Sequence, residues 1–236
     1  MIEGYAGNIT SQFAQDLHPT PRQPIALTVR DWFDPTLESQ WFILPGLVAV
    51  LSMIMALLVS ALSLAREREL GTFEQLLVTP LRPGEVLVGK ALPGIIVGLI
   101  DANLAATAAL LWFRVPFLGS MIVLQTVLLL YLLAGVGIGL VISSITHTQQ
   151  QAMLGVFVLA SPMVMLSGYA APVENMPPIV ELLSRVDPIR WMLVIARGVF
   201  LQDMPMAVVL QNAWPLTAIA VTAFVVAGAA VRRAVG

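Results

Sequence analysis

Five long runs of apolar residues constrain the fold of this chain more than any other feature of its sequence. A helix rises about 1.5 Å per residue, so crossing the roughly 30 Å hydrocarbon core of a bilayer takes about 20 apolar residues. The runs that approach this length cover residues 41–65, 86–112, 120–143, 152–171 and 208–231. We predict an all-α membrane protein, a polytopic bundle of about five transmembrane helices.

The composition supports a membrane protein and argues against several kinds of site. Hydrophobic residues make up 58% of the 236 residues and charged residues only 11%, against about 25% in soluble domains. The formal net charge of −2 provides no basic surface for a nucleic acid, so we expect no such partner. The chain has no cysteine and only two histidines, far apart, so we also expect no metal site.

Two of the polar segments outside these runs are rich in proline. Residues 1–40 contain four prolines and are predicted to be the end of an extracytoplasmic domain, which leaves residues 41–236 as the transmembrane domain. Residues 172–205 contain five prolines, but apolar residues recur at helical spacing over 179–185 and 189–201. This pattern predicts a short outer hairpin of two amphipathic helices.

Positive charges near the span ends set the predicted orientation. Arg66 and Arg68 directly follow the first span and Arg232 and Arg233 the last, and the positive-inside rule counts charges close to span ends. We therefore place residues 66–85 in the cytoplasm. Residues 1–40 then lie outside without a signal peptide or a span before them, so we expect a longer protein with an earlier helix and a larger external domain.

Residues 66–85 carry the densest charge in the chain, with four acidic and three basic side chains. Thr72 and Gln75 form a Thr-x-x-Gln capping box, and Pro80 ends the helix that this box would begin. The pattern predicts a short helix along the cytoplasmic face that could dock into a groove of another protein. The alternative is an ordinary solvated loop.

The motif Glu-x-Glu-x-Gly-Thr-x-Glu-Gln-Leu-Leu-x-Thr-Pro over residues 67–80 resembles the cytoplasmic loop of ABC-2 type exporter permeases. Residues 29–35, 41–47 and 174–203 also resemble segments of that family. The resemblance implies that two permease subunits pair in the inner (cytoplasmic) membrane, each offering the loop as a coupling helix to a separate ATPase subunit. The residues that it implies form or orient the ATPase contact are Arg66, Glu67, Glu69, Gly71, Thr72 and Glu74.

The resemblance also bears on substrates and partners. Family members with a large external domain export drugs and other amphiphiles, often beside a periplasmic adaptor, and we carry this over only as an expectation. The sequence has no Gly-x-x-x-x-Gly-Lys-Ser/Thr loop, so ATP is expected on the partner ATPase and no cofactor on this chain. Gly135 and Gly139 lie within an apolar span, where small residues four apart permit close helix packing.

Asp101 is the most unusual residue within a predicted span. A carboxylate at mid-membrane costs about 2.5–3.5 kcal/mol even on insertion scales, so it is expected to face protein or water. It could be a proton relay, a contact for a cationic substrate, or a hydrogen-bonded partner of Asn103 or Gln125. Lys90 lies about one turn inside the cytoplasmic end of its helix and is predicted to reach the interface and anchor that helix.

The sequence therefore favours the permease subunit of an ATP-driven exporter that uses a separate ATPase. Two alternatives stay open: a secondary transporter or channel that uses Asp101, and a membrane scaffold without transport activity. An ATPase gene beside this one would favour the exporter.

Overall fold

The computed structural model describes residues 39–72, 83–170 and 173–235. Nearly all of the predicted extracytoplasmic segment and most of the predicted coupling helix lie outside these ranges. The helices of the described part are α1 (Ser39–Glu69), α2 (Pro83–Leu111), α3 (Met121–Ile145), α4 (Gln149–Leu166), α5 (Pro178–Ser184), α6 (Pro188–Leu201) and α7 (Met206–Val235).

Five of these helices, α1 to α4 and α7, are long and apolar enough to cross a membrane. No strand occurs in residues 39–72, 83–170 or 173–235. The prediction of an all-α, polytopic membrane bundle is therefore confirmed. In such a bundle helices satisfy their own backbone hydrogen bonds, which the bilayer interior cannot do.

Helices α5 and α6 form the short hairpin between α4 and α7. The Asp187 carboxylate caps α6 by accepting a hydrogen bond from the Ile189 amide at 2.9 Å, and Pro188 occupies the first helical position. Burial raises the pKa of Asp187 to about 7, against the opposing effects of that hydrogen bond and of the Arg190 charge. The amides of Leu118 and Gly119, in the α2–α3 connection, donate to the last turn of α6.

Helix α3 lies at the centre of the bundle and packs against α1, α2, α6 and α7. The fully buried Tyr131 hydroxyl donates to the Ala49 carbonyl of α1 at 2.7 Å. Gly135 and Gly139 face α1, and a Cβ on Gly139 would lie only 2.8 Å from the Leu57 carbonyl oxygen. The two helices can approach this closely because α3 has no side chain at these positions.

Gly139→Ala is therefore expected to destabilise the bundle, even though alanine is the better helix former. The added methyl group would force α1 and α3 apart, and overpacking of this kind costs about 1–3 kcal/mol. Gly89→Ala is the matched control, since nothing lies within 4 Å of a Cβ at Gly89. Thermal unfolding in detergent should show a lower midpoint for Gly139→Ala only; equal midpoints would contradict this packing.

Candidate functional site

The last turn of α1 carries the charged residues that the sequence singled out. The helix ends in a Schellman motif: the Thr72 amide donates to the Glu67 carbonyl at 3.0 Å and the Gly71 amide to the Arg68 carbonyl at 3.2 Å. Gly71 has a φ of +71°, in the left-handed region that favours glycine. The chain therefore turns away from the helix axis immediately after Glu69.

Glu67 joins α1 to α2. Its carboxylate forms an ion pair and a hydrogen bond with the Lys90 ammonium, and the two side chains are only 22% and 21% exposed. The second carboxylate oxygen of Glu67 is buried and has no hydrogen-bond partner among the described residues. Glu67 therefore depends on Lys90 for its stabilisation, because an unpaired buried charge is costly.

Arg68 joins α1 to the end of α3. One guanidinium nitrogen donates to the carbonyls of Ser144 and Thr146, at 2.8 and 3.0 Å. The last carbonyls of a helix lack partners within the helix and carry partial negative charge, so a cation is favourable there. One turn earlier, the Ser143 hydroxyl lies 2.9 Å from the Leu64 amide nitrogen, which brings α3 against the α1 backbone.

Glu69 joins α1 to the beginning of α4. A single carboxylate oxygen accepts from the Gln149 backbone amide at 2.7 Å and from the Gln149 side-chain amide at 3.2 Å. Gln149 is the first residue of α4, where free amides and the helix dipole favour a negative charge. The Thr148 hydroxyl accepts from the Gln151 amide and completes the cap.

Three consecutive side chains thus bind three different helix segments. We call this cluster the junction; its members are Glu67, Arg68, Glu69, Lys90, Ser144, Thr146 and Gln149. Arg66 is exposed. Of the residues expected to form or orient an ATPase contact, Glu67 and Glu69 are bound to the chain's own helices, Gly71 and Thr72 end α1, and Glu74 lies outside the described residues.

Sequence reasoning missed the partners of these charges. It placed Lys90 at the interface as an anchor and did not connect it to Glu67. The available signal was weak: Lys90 lies near the start of one span and Glu67 just beyond the end of the preceding one, which antiparallel helices bring to the same depth. Nothing in the sequence connects Arg68 with backbone carbonyls that lie 76 and 78 residues away.

The polar residues within the membrane separate into two groups. The side-chain amides of Asn103 on α2 and Gln125 on α3 donate to each other. Neither amide binds Asp101: its Oδ2 atom is buried and has no partner in the described ranges. The hydrogen bond considered for Asp101 is therefore formed by the other two residues instead.

No group of histidine, cysteine and acidic side chains in the described residues could hold a metal ion. A groove of about 590 Å³ between α3 and α7 is lined almost wholly by apolar side chains, including Leu130 and Trp214. This groove suits lipid or helix contacts, whereas the junction is formed by charged side chains.

Comparison with known proteins matches residues 9–201 to the sequence model of the ABC-2 type transporter family. The probable multidrug ABC transporter permease YbhR of Escherichia coli is 39% identical over 98% of this chain and 63% of its own length. The probable multidrug ABC transporter permease YbhS, from the same organism, is 31% identical over 93% of this chain and 60% of its own. The inner membrane transport permease YhhJ is 27% identical over 100% of this chain and 62% of its own. The chain thus spans about three fifths of the length of these relatives.

Proposed function

Since the chain belongs to the ABC-2 type transporter family, we propose that it is a permease subunit of an ATP-driven exporter in the inner membrane. In this proposal a separate cytoplasmic ATPase subunit binds the loop at residues 73–82 and supplies the energy. Drugs or other amphiphiles are the proposed substrates, in line with the names of the relatives YbhR and YbhS. The periplasmic adaptor expected from the family resemblance remains part of the proposal.

The junction is the observation that carries this proposal. The coupling loop follows directly from the end of α1, and the last turn of α1 is bound to α2, to the end of α3 and to the beginning of α4. The partly buried contacts of Glu67 and Arg68 contribute about 1.5–3 kcal/mol each, and the exposed contact of Glu69 contributes less because solvent screens it, so together they hold the four segments to one another. If the ATPase displaces the loop, the end of α1 would therefore move together with α2, the end of α3 and the beginning of α4, and α1 would not bend alone.

A second permease subunit is proposed to pack on α4. This helix buries one face against α1, while Leu154, Phe157 and Val158 are 59%, 65% and 75% exposed. Its share of buried residues is the smallest of the five candidate spans. Glu69 of the junction binds Gln149, the first residue of α4. Movement of the coupling loop would therefore be transmitted to α4 and to the interface between the two permease subunits, where we place the substrate path.

Affinity purification of the full-length gene product from detergent-solubilised native membranes tests the proposal. We expect an ATPase with a phosphate loop to accompany it, and ATP hydrolysis by the complex to rise when an amphiphile is added. Inverted vesicles should accumulate that amphiphile only with ATP. Uptake driven by a proton gradient without ATP would instead identify a secondary transporter, and no uptake under either condition would favour a scaffold.

A further inference from the structure

The α5–α6 hairpin inserts between the long helices of the bundle, because α6 packs against α1, α3 and α7. One end of α6 is fixed where the Leu118 amide donates to the Phe200 carbonyl, just before the start of α3. Further along α6, Leu193 packs against Gly46 of α1. The helix from Phe200 back to Asp187 is about 20 Å long, so the tip of the hairpin at Asp187 lies deep within the bundle.

Asp187 lies near the buried hydroxyl of Tyr131, close enough for its charge to act on that group. The Tyr131 hydroxyl donates its single proton to the Ala49 carbonyl, so it has none to offer the Asp187 carboxyl. Tyr131 and Ala49 are each about 15 Å along α3 and α1 from the ends opposite the junction. The carboxyl group is therefore packed in the interior of the bundle, and the whole residue is only 5% exposed.

Two contacts within the hairpin favour the ionised form of Asp187. Its Oδ1 atom accepts a hydrogen bond from the Ile189 amide, and the positive charge of Arg190 acts on the carboxyl. The Arg190 guanidinium is itself held by α5, where it donates to the Glu181 carbonyl and to the Ser184 hydroxyl. Burial outweighs both contacts and raises the pKa of Asp187 to about 7.

The elements around the hairpin contain few other ionisable groups. Three helix segments have no acidic, basic or histidine side chain: residues 39–65 of α1, 149–166 of α4 and 206–230 of α7. Helix α3 contributes Tyr131 alone, and α5 contributes Glu181, which pairs with Arg185 at the exposed surface. The other charged residues of the α2–α3 connection, α6 and the α6–α7 connection lie towards the far end of α6: Arg114, Arg197 and Asp203. Burial at the tip therefore dominates the protonation of Asp187.

We propose that Asp187 is a proton-binding site that holds the hairpin in the bundle: the carboxyl carries a proton on its buried Oδ2 atom while the tip is packed near Tyr131, and releases it to water when the tip is displaced. One proton is exchanged with water and no other reactant takes part. Acid on the side of the hairpin favours the packed state, and alkali favours displacement. The proposal concerns this chain alone and depends on neither an ATPase nor a substrate.

The sign of the pH effect follows from proton binding in the two states. A carboxyl exposed to water ionises near pH 4, whereas the packed Asp187 ionises near pH 7. Between these values the packed state holds a proton that the displaced state has lost. The stabilisation of the packed hairpin is therefore fully present below about pH 4 and is lost as the pH rises to about 7.

Hydrogen exchange of backbone amides in the full-length protein, in lipid nanodiscs at pH 5.5 and pH 8, tests this site. Asp187→Asn keeps an oxygen that can cap α6 but has no charge at either pH. We expect the α6 amides to exchange faster in the wild type than in Asp187→Asn, by a ratio that increases about tenfold or more from pH 5.5 to pH 8. Comparing the two proteins at the same pH cancels the intrinsic effect of pH on exchange.

Glu181→Gln is the matched control, because it neutralises an exposed carboxyl of the same hairpin and should exchange like the wild type at both pH values. A wild-type to Asp187→Asn ratio that stays constant or falls from pH 5.5 to pH 8 would overturn the proposal. An equal change in the amides of α2 would also overturn it, since Asp187 would then stabilise the whole bundle. If Asp187→Asn fails to fold, Asp187→Ser provides another neutral cap for the same comparison.

Discussion

Lys90→Glu is expected to destabilise the bundle severely, by about 3–5 kcal/mol in the free energy of unfolding, because it sets two carboxylates against each other at a site where both side chains are mostly buried. The double variant with Glu67→Lys restores opposite charges in the same place and should recover most of this loss. The thermal unfolding midpoint and the yield of monodisperse protein in detergent measure both effects.

The exposed pair of Arg185 and Glu181 in the hairpin provides the matched control. These side chains are 58% and 41% exposed, so solvent screens their interaction and Glu181→Lys should change stability by less than about 1 kcal/mol. If Lys90→Glu were as mild as Glu181→Lys, or if the charge exchange recovered nothing, the Glu67–Lys90 pair would not hold α1 to α2.

Glu69→Ala is expected to reduce ATP-dependent export at least tenfold while leaving membrane insertion and ATPase binding intact. The substitution removes the acceptor for both amides of Gln149, so the end of α1 would no longer hold the beginning of α4. Glu69→Gln should be intermediate, because its amide oxygen can accept a hydrogen bond but has no charge to favour the helix dipole. Combining Glu69→Ala with Glu74→Ala should abolish coupling.

Export by inverted vesicles and recovery of the ATPase are measured on the same preparation, so that loss of coupling is distinguished from loss of the complex. Glu181→Ala removes a carboxylate from the hairpin, far from the junction, and should export like the wild type. Wild-type export by Glu69→Ala would show that the contact with Gln149 has no role in transport.

The fold was predictable because a lipid bilayer permits few backbone structures in a chain that crosses it. A chain in hydrocarbon must satisfy its own backbone groups, so the length of each apolar run was enough to predict a helix. The hairpin followed from apolar spacing, and Asp187-Pro188 marked the beginning of α6. The ends of the helices depend on local capping, as at Gly71, where the positive φ ends α1 four residues beyond the predicted span.

For the candidate site, the sequence predicted which segment of the chain carries it but not which helices its side chains contact. Consecutive residues of a helix project about 100° apart, so Glu67, Arg68 and Glu69 could not all face one partner. Which helices lie in those three directions depends on the packing of the bundle, and no local pattern encodes it. The pairing of Asn103 with Gln125, in place of either with Asp101, likewise depends on the register between α2 and α3.

The junction should transmit movement of the coupling loop to the helices of the membrane domain, and a distance measurement tests this most directly. These 236 residues contain no cysteine, and His147 in the α3–α4 turn and Val186 in the hairpin, both exposed, can each be replaced by cysteine and spin-labelled. In the complex with its ATPase, the distance between these labels should change on ATP binding in the wild type and change less in Glu69→Ala, which loses the contact of α1 with α4 but keeps those of Glu67 and Arg68. An equal change in both proteins, or none in the wild type, would contradict the account.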